Sequence, residues 1–480
     1  MALTQKEPRE SGTSGAQAVP PGTTSPRAAL TEPVPPQAAS SEAAPPEDAP
    51  AESGSVWRNH DFVKLWTGET ISLIGTQITQ FTLPLIAVLT LHASVSEVGL
   101  LNASRSAPVV AVILFAGVWV DRHRRRPILI GCALGCGVLI GLIPLASSLG
   151  VLSMGLMYVV CILTGVLSVV SEVGVFSYVP SLVERRHLAA TNSRLQTSLS
   201  LAMVAGPGLA GVLVGTITAP TTLTADAISY FCCALGLIAI RGREPAPAAQ
   251  HQSVRSSIAE GVRAVFGSPV LRGLLTQSGT FNLFQSGLIT ILVVYAIKDL
   301  LLTPFQLGVV LGAIAVGGVC GSMSANRIRE RFGLGRTMAA GITAGTLCPL
   351  FLLIPRSSSF ASLAILSTVE FVYGFGVLMF NVNATTLRQS VTPDRLLGRV
   401  NASYRLAVLG TLPIGAALSG FLGQAVGLRS AMVIIACLIT TPILWVAFSP
   451  AYRLKTMPTE PLPELMGASI ATGATSDGEH

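Results

Sequence analysis

Gly117-Val118-Trp119-Val120-Asp121-Arg122-His123-Arg124-Arg125-Arg126-Pro127 stands between two long apolar runs. The run before it, residues 98–120, holds one charged residue, Arg105, and the run after it, residues 127–148, holds none. Five of the seven residues 121–127 are charged, in a chain that is only 11% charged. A spanning helix needs about 20 apolar residues, and short Arg-rich loops stay on the cytoplasmic side. The stretch therefore reads as the cytoplasmic turn of a membrane hairpin. It orients everything around it.

Composition agrees. The 480 residues are 50% hydrophobic with a mean hydropathy of +0.63, whereas soluble chains carry about 25% charged residues. Most of the 47 glycines lie inside apolar runs, where small residues let helices approach closely. The net charge of +7 comes from arginines in short loops rather than from one polar face, so nucleic acid is not an expected partner. The eight cysteines (Cys132, Cys136, Cys161, Cys232, Cys233, Cys320, Cys348 and Cys437) fall inside predicted spans without His at metal-ligand spacing. They read as small buried thiols, and no metal or cofactor is expected. No His-x-x-x-His pair, G-x-S-x-G elbow or P-loop is present, so an enzyme is not expected.

Residues 1–56 are rich in Ala, Pro, Ser, Glu and Thr and lack apolar periodicity, which predicts a disordered tail. No apolar h-region follows the start, so this is not a signal peptide. Six spans are predicted over 62–89, 95–118, 127–148, 151–178, 191–217 and 221–240, making a first bundle of residues 57–240. A polar linker, 241–268, contains a short amphipathic helix around 254–266. Six more spans over 269–297, 304–325, 336–354, 360–387, 399–425 and 428–448 make a second bundle of residues 269–448, and a polar tail fills 449–480.

Turns after even-numbered spans carry Arg185 and Arg186, Arg241, Arg243, Arg255 and Arg263, Arg327, Arg329 and Arg331, and Arg388 and Arg395. Turns after odd-numbered spans are short and poor in cations, with Lys298, Arg356 and Arg429 as exceptions. Both termini are therefore expected in the cytoplasm of a multi-pass cell-membrane protein. The halves repeat: residues 181–192 overlay 390–401, and the same register pairs Gly206 with Gly415 and Gly211 with Gly420. The fold class expected is an all-α membrane protein of twelve transmembrane helices in two pseudo-symmetric six-helix bundles.

Within this frame Gly117-x-x-x-Asp121-Arg122-x-x-Arg125-Arg126 closely resembles the loop 2–3 signature of the major facilitator superfamily. The resemblance implies that Gly117, Asp121, Arg122, Arg125 and Arg126 latch the cytoplasmic ends of the bundles in an outward-open state. The second copy departs from the pattern, with Ala325 where the acid would stand after Gly321, and with Arg327, Arg329, Arg331 and Arg336 remaining. The opening Arg58-x-His60-Asp61-Phe62-x-x-Leu65-Trp66-x-Gly68-x-x-Ile71-Ser72-x-x-Gly75-x-Gln77 is similar to the macrolide-efflux and enterobactin-exporter branch. So are Pro180-Ser181-Leu182-Val183, Leu188-Ala189-x-x-Asn192 and Asp226-Ala227-x-Ser229-Tyr230. What this implies is a secondary transporter that works by alternating access, exporting an amphipathic small molecule such as a drug, macrolide or siderophore with proton coupling. Its expected partners are that substrate, protons and the lipid bilayer, and a monomer is expected. An importer or facilitative carrier, or a non-transporting sensor on the same fold, are the alternatives.

Gly206-Pro207-Gly208-Leu209-Ala210-Gly211 matches a dinucleotide fingerprint in letters only, because it lies mid-span with no preceding strand. It reads as close helix packing, and Gly206, Pro207 and Gly208 resemble the family's gating element in span 5. Glu69, Arg105, Glu172, Asp226 and Glu370 are charged residues within spans. Each costs a few kcal/mol at the bilayer centre and is expected to face the interior or a water-filled cavity. All five are candidates for a proton or charge relay, with Glu69 and Glu172 preferred as proton carriers, and Glu172 and Glu370 taken as equivalent positions in the two bundles. Gln77 and Gln80 in span 1, Gln277, Asn282 and Gln285 in span 7, and Asn381 and Asn383 in span 10 are candidates for the substrate path. The family builds its central cavity from spans 1, 4, 7 and 10.

Overall fold

The structure, a computed structural model, describes residues 59–242 and 254–458. The predicted N-terminal tail, the linker residues 243–253 and the tail beyond 458 lie outside the described residues. Among the described residues every regular element is helical. Span 1 is His60–Leu85, continued by a π-helical turn Ile86–Thr90, and spans 2 to 6 are Val95–Arg122, Arg125–Ser148, Met154–Leu182, Leu188–Thr216 and Ala219–Ile238. The linker helix is Val254–Gly267. Spans 7 and 8 are Pro269–Lys298 and Pro304–Phe332, span 9 is Leu334–Leu347 with a 3₁₀ extension Cys348–Leu353, and span 10 is Phe360–Val391. Span 11 is split into Asp394–Leu409 and Thr411–Val426, and span 12 starts as Leu428–Leu438. Eleven of these are long and apolar enough to cross a membrane, and the 28-residue span 2 runs alongside them as the twelfth.

Local chemistry explains where the spans start and break. Ser94 and Glu97 form a capping box at the start of span 2, and Thr303 and Gln306 form another at span 8. Each satisfies backbone N–H groups that an α-helix leaves open at its first turn. The α-helical part of span 9 gives way to a 3₁₀ turn just before Pro349. Span 11 breaks at Gly410, where Pro413 cannot donate to the Leu409 carbonyl. The helices also run past the apolar runs at the Arg-rich end: span 2 reaches Arg122, span 8 reaches Phe332, and span 11 begins at Asp394. Backbone bonding continues there through charged sequence, which hydropathy alone does not mark.

The start of the predicted C-terminal tail is docked rather than free. Ser449 and Ala451 are buried. The N–H groups of Leu334 and Gly335, at the open first turn of span 9, donate to the carbonyls of Lys455 and Leu454 at 3.1 and 2.8 Å. The linker helix lies against span 11, where Glu260 pairs with Arg399 and Gly261 sits on the Arg399 backbone.

Glycines set the closest crossings. Gly317 and Gly321 of span 8 face the backbones of Phe371 and Phe375, and Gly374 of span 10 faces that of Ile314, each too close for a side chain. The two bundles also meet through glycine, most closely at one end. A Cβ on Gly99 would stand 2.7 Å from the Ala416 carbonyl oxygen, and one on Gly308 would stand 2.6 Å from that of Pro207. At this end Lys298 Nζ donates to the Ala93 carbonyl at 2.8 Å, across the seam. That bond accounts for a cation on the side where cations are otherwise scarce. Toward the opposite end, which carries the charged turn, Gly117 has nothing within 4 Å of where a Cβ would be.

Candidate transport cavity

Between the bundles lies a cavity of about 610 Å³. Span 1 contributes Thr76, Thr79, Gln80 and Phe81; span 2, Asn102, Arg105 and Ser106; span 4, Thr164, Ser168 and Glu172; and span 6, Asp226 and Tyr230. The second bundle lines it mainly from span 7, through Asn282, Gln285, Ser286, Ile289, Thr290 and Val293, with Leu311 and Leu412 from spans 8 and 11. The stripe Asn282, Ser286, Ile289 and Val293 follows the three-to-four-residue spacing of one helix face. The expected set of spans 1, 4, 7 and 10 is therefore revised: spans 2 and 6 contribute and span 10 does not.

The structure brings Gln80, Asn282, Gln285, Arg105, Glu172 and Asp226 to this wall. Asp226 is 1% exposed; it accepts hydrogen bonds from Thr79 Oγ1 and, at 3.0 Å, from Ser229 Oγ. Gly75 of span 1 leaves room for it, since a side chain there would run into Asp226 and Ser229. The Tyr230 hydroxyl lies 3.1 Å from Thr76 Oγ1. Glu172 forms an ion pair with Arg405 of span 11, joining the two bundles, and these side chains are 48% and 46% exposed. Half-exposed charges at this depth mean that the cavity is open toward the end that carries the charged turn. Arg405 was not among the expected site residues. Its signal, an arginine well inside the apolar run of span 11, is present in the sequence.

Other candidates lie elsewhere. Gln77 packs against Gly206 of span 5 rather than facing the cavity. Glu69 is outside the lining and receives only a long contact from Cys233 Sγ at 3.7 Å. Gln277 is fully buried and accepts from Ser278. Asn383 is buried, donates to the Met379 carbonyl and accepts from Arg329 at 3.5 Å, while Asn381 is exposed outside the cavity. Glu370 is 3% exposed, with no hydrogen bond or ion pair to a described residue. It lies nearer the Phe360 end of span 10, whereas Glu172 lies nearer the Leu182 end of span 4, so the two are not equivalent. The repeat register places Asn381 opposite Glu172, and Cys161 opposite Glu370.

At the charged turn, Arg126 donates from Nε to the Leu237 carbonyl at 2.9 Å and from Nη2 to that of Ile238 at 2.8 Å. It thus caps the C-terminus of span 6, where open carbonyls and the helix dipole favour a cation. Arg122 is exposed and Arg125 half-buried. The Asp121 side chain lies outside those described. Span 5 runs unbroken through Pro207, and the Gly206–Gly211 stretch meets span 1 at Gln77 and span 8 at Pro304 and Gly308. Gly206 and Gly211 are points of close packing there, while Gly208 faces open space.

The profile described as Major Facilitator Superfamily matches residues 65–411. The chain is 27% identical over 376 residues to the multidrug efflux pump Tap of Mycolicibacterium fortuitum, covering 74% of this chain and 87% of that one. It is 23% identical over 370 residues to the enterobactin exporter EntS of Escherichia coli, covering 75% and 85%. In structure it is similar to the nucleoside transporter NupG, with a TM-score of 0.66 at 12% identity over 81% of this chain and 98% of that one. It is also similar to a bacterial homologue of the human lysosomal transporter Spinster, with a TM-score of 0.65 at 13% identity over 83% and 97%. The chain is a multi-pass membrane transporter, not an enzyme, and it belongs to the major facilitator superfamily.

Proposed function

We propose that this transporter exports an amphipathic small molecule across the cell membrane by proton-coupled alternating access. The observation that carries the reading is the central cavity, sealed at the Gly99–Gly420 end and open toward the charged turn. The arginine distribution puts that turn, both termini and the linker in the cytoplasm, so the cavity faces the cytoplasm and takes its cargo from there. Two relatives named as an efflux pump and an exporter support the direction. The mixed wall, apolar from Phe81 to Leu412 with interspersed amides and hydroxyls, suits an amphipathic cargo. One chain encloses the cavity, which supports a monomer.

Glu172 is the proton carrier in this reading, and its support is the pairing with Arg405. A carboxylate that has released its proton inward finds a cation on the opposite bundle. Rocking to the outward-open state closes the cytoplasmic mouth and opens the cavity to the other side, from where a proton reaches Glu172 and releases it from Arg405. Glu69, outside the cavity wall, is the second candidate. Gly117, Asp121, Arg122, Arg125 and Arg126 then act as the latch of the outward-open state, and Gly206, Pro207 and Gly208 as the surface on which span 5 moves against span 8.

The test is efflux of a fluorescent substrate from energised cells with and without a protonophore, in wild type, Glu172→Gln and Glu69→Gln at matched expression. Loss of efflux with the protonophore and in Glu172→Gln is expected. Efflux as strong as wild type in both variants removes the proton assignment, and absence of flux under any gradient favours the sensor.

A further inference from the structure

We propose that Arg105 recognises an oxyanion on the cargo, so that the exported molecule is an amphipathic organic acid, with a carboxylate at one end of an apolar body. This rests on reading the central cavity as the transport path.

Arg105 lies about ten residues, roughly 15 Å of helix, beyond Val95 in span 2. A guanidinium so far from either end of a span is held at a cost unless it is paired. Arg105 lines the cavity, yet no hydrogen bond or ion pair joins it to another described residue. The polar groups around it are already engaged. Glu172 is paired with Arg405, and Asp226 accepts from Thr79 and Ser229. Asn102 donates to Thr290 Oγ1 at 3.1 Å, and Ser106 Oγ donates to the Asn102 carbonyl at 2.9 Å.

A guanidinium has five N–H donors and no acceptor. Asp226 acts on these donors through space, but its hydrogen bonds go to Thr79 and Ser229 and none reaches the guanidinium. The arginine's backbone is fixed in place, because Gly165 of span 4 packs so closely that a Cβ there would reach 2.8 Å from the Arg105 carbonyl oxygen. A carboxylate meets such a group through two parallel hydrogen bonds, a geometry that an ammonium does not offer. The remaining wall, with Phe81, Val109, Ile289, Val293, Leu311 and Leu412, accepts the apolar body. A cationic cargo would instead sit beside an unpaired arginine, with every cavity carboxylate already partnered.

The experiment measures binding to the purified full-length protein by fluorescence anisotropy. The probes are dansylglycine, its neutral carboxamide and a dansyl quaternary ammonium, and the same probes are followed in inside-out vesicles. Wild type is expected to bind the carboxylate at least tenfold tighter than the amide. Arg105→Gln should remove that difference, and Arg105→Lys should restore part of it. Equal binding of carboxylate and amide, tighter binding of the cation, or no binding of any probe overturns the proposal. The wild-type comparison decides even if Arg105→Gln fails to fold. If the carboxylate binds through Arg105 but is never moved in vesicles, the anion site stands and the export reading fails. If the cation is exported and the carboxylate ignored, export stands and the anion site falls.

Discussion

The two halves share one plan and spend it differently. The first bundle brings Arg105, Glu172 and Asp226 to the cavity, whereas the second lines it with amides, hydroxyls and aliphatic side chains. The contrast is sharpest where the halves repeat. Gly117 of span 2 has open space where a side chain would go, while Gly321 of span 8 is pressed against the Phe375 backbone. Asp121 ends the first motif at a charged turn, and its counterpart Ala325 is 0% exposed inside the second bundle. A duplicated scaffold can therefore divide its labour. One copy brings charged side chains to the cavity wall, and the other lines it mainly with neutral ones.

Stability should break this symmetry most strongly. Gly321→Val must push spans 8 and 10 apart and is expected to cost about 3 kcal/mol, the upper end for overpacking. Gly117→Ala should be neutral or slightly stabilising, because Ala favours a helix over Gly by roughly 1 kcal/mol. Thermal melts in detergent compare the two, and equal losses would mean that both copies are packed alike. Transport comes next. Glu172→Gln should lower efflux at least tenfold while changing stability little, since a half-exposed ion pair contributes about 1 kcal/mol or less. The register-equivalent Asn381→Ala should leave efflux within about twofold of wild type. The smallest contrast lies at the turns. Asp121→Asn should reduce transport severalfold, more than neutralising any one of Arg327, Arg329 or Arg331. Equal effects would leave the first turn as an orientation signal only.

Much of the fold was legible in the sequence, because membrane spans are written in long apolar runs and their orientation in arginines. The apolar run 336–354 reads as one span, and its change to a 3₁₀ turn beside Pro349 appears only in the structure. The cavity was legible only in part. Gln77 and Gln80 lie within one turn of the same helix, yet Gln80 faces the cavity and Gln77 packs on Gly206. Hydropathy does not report such rotation, because both residues sit in the same apolar run. Glu370 and Glu172 appeared equivalent by span number, but they lie toward opposite ends of their helices, and the true counterpart of Glu172 is an amide. Arg405 escaped notice because a lone arginine inside a span does not declare its partner. That partner is distant in sequence and becomes a neighbour only when the two bundles are assembled.

The most direct test is proton movement in proteoliposomes holding the purified protein in inside-out orientation, with the interior acidified. Substrate on the outer, cytoplasm-equivalent face should be accumulated as protons leave. Accumulation should collapse with a protonophore and in Glu172→Gln. Accumulation that survives dissipation of the gradient, or a Glu172→Gln variant that keeps wild-type proton-driven uptake, would contradict the account.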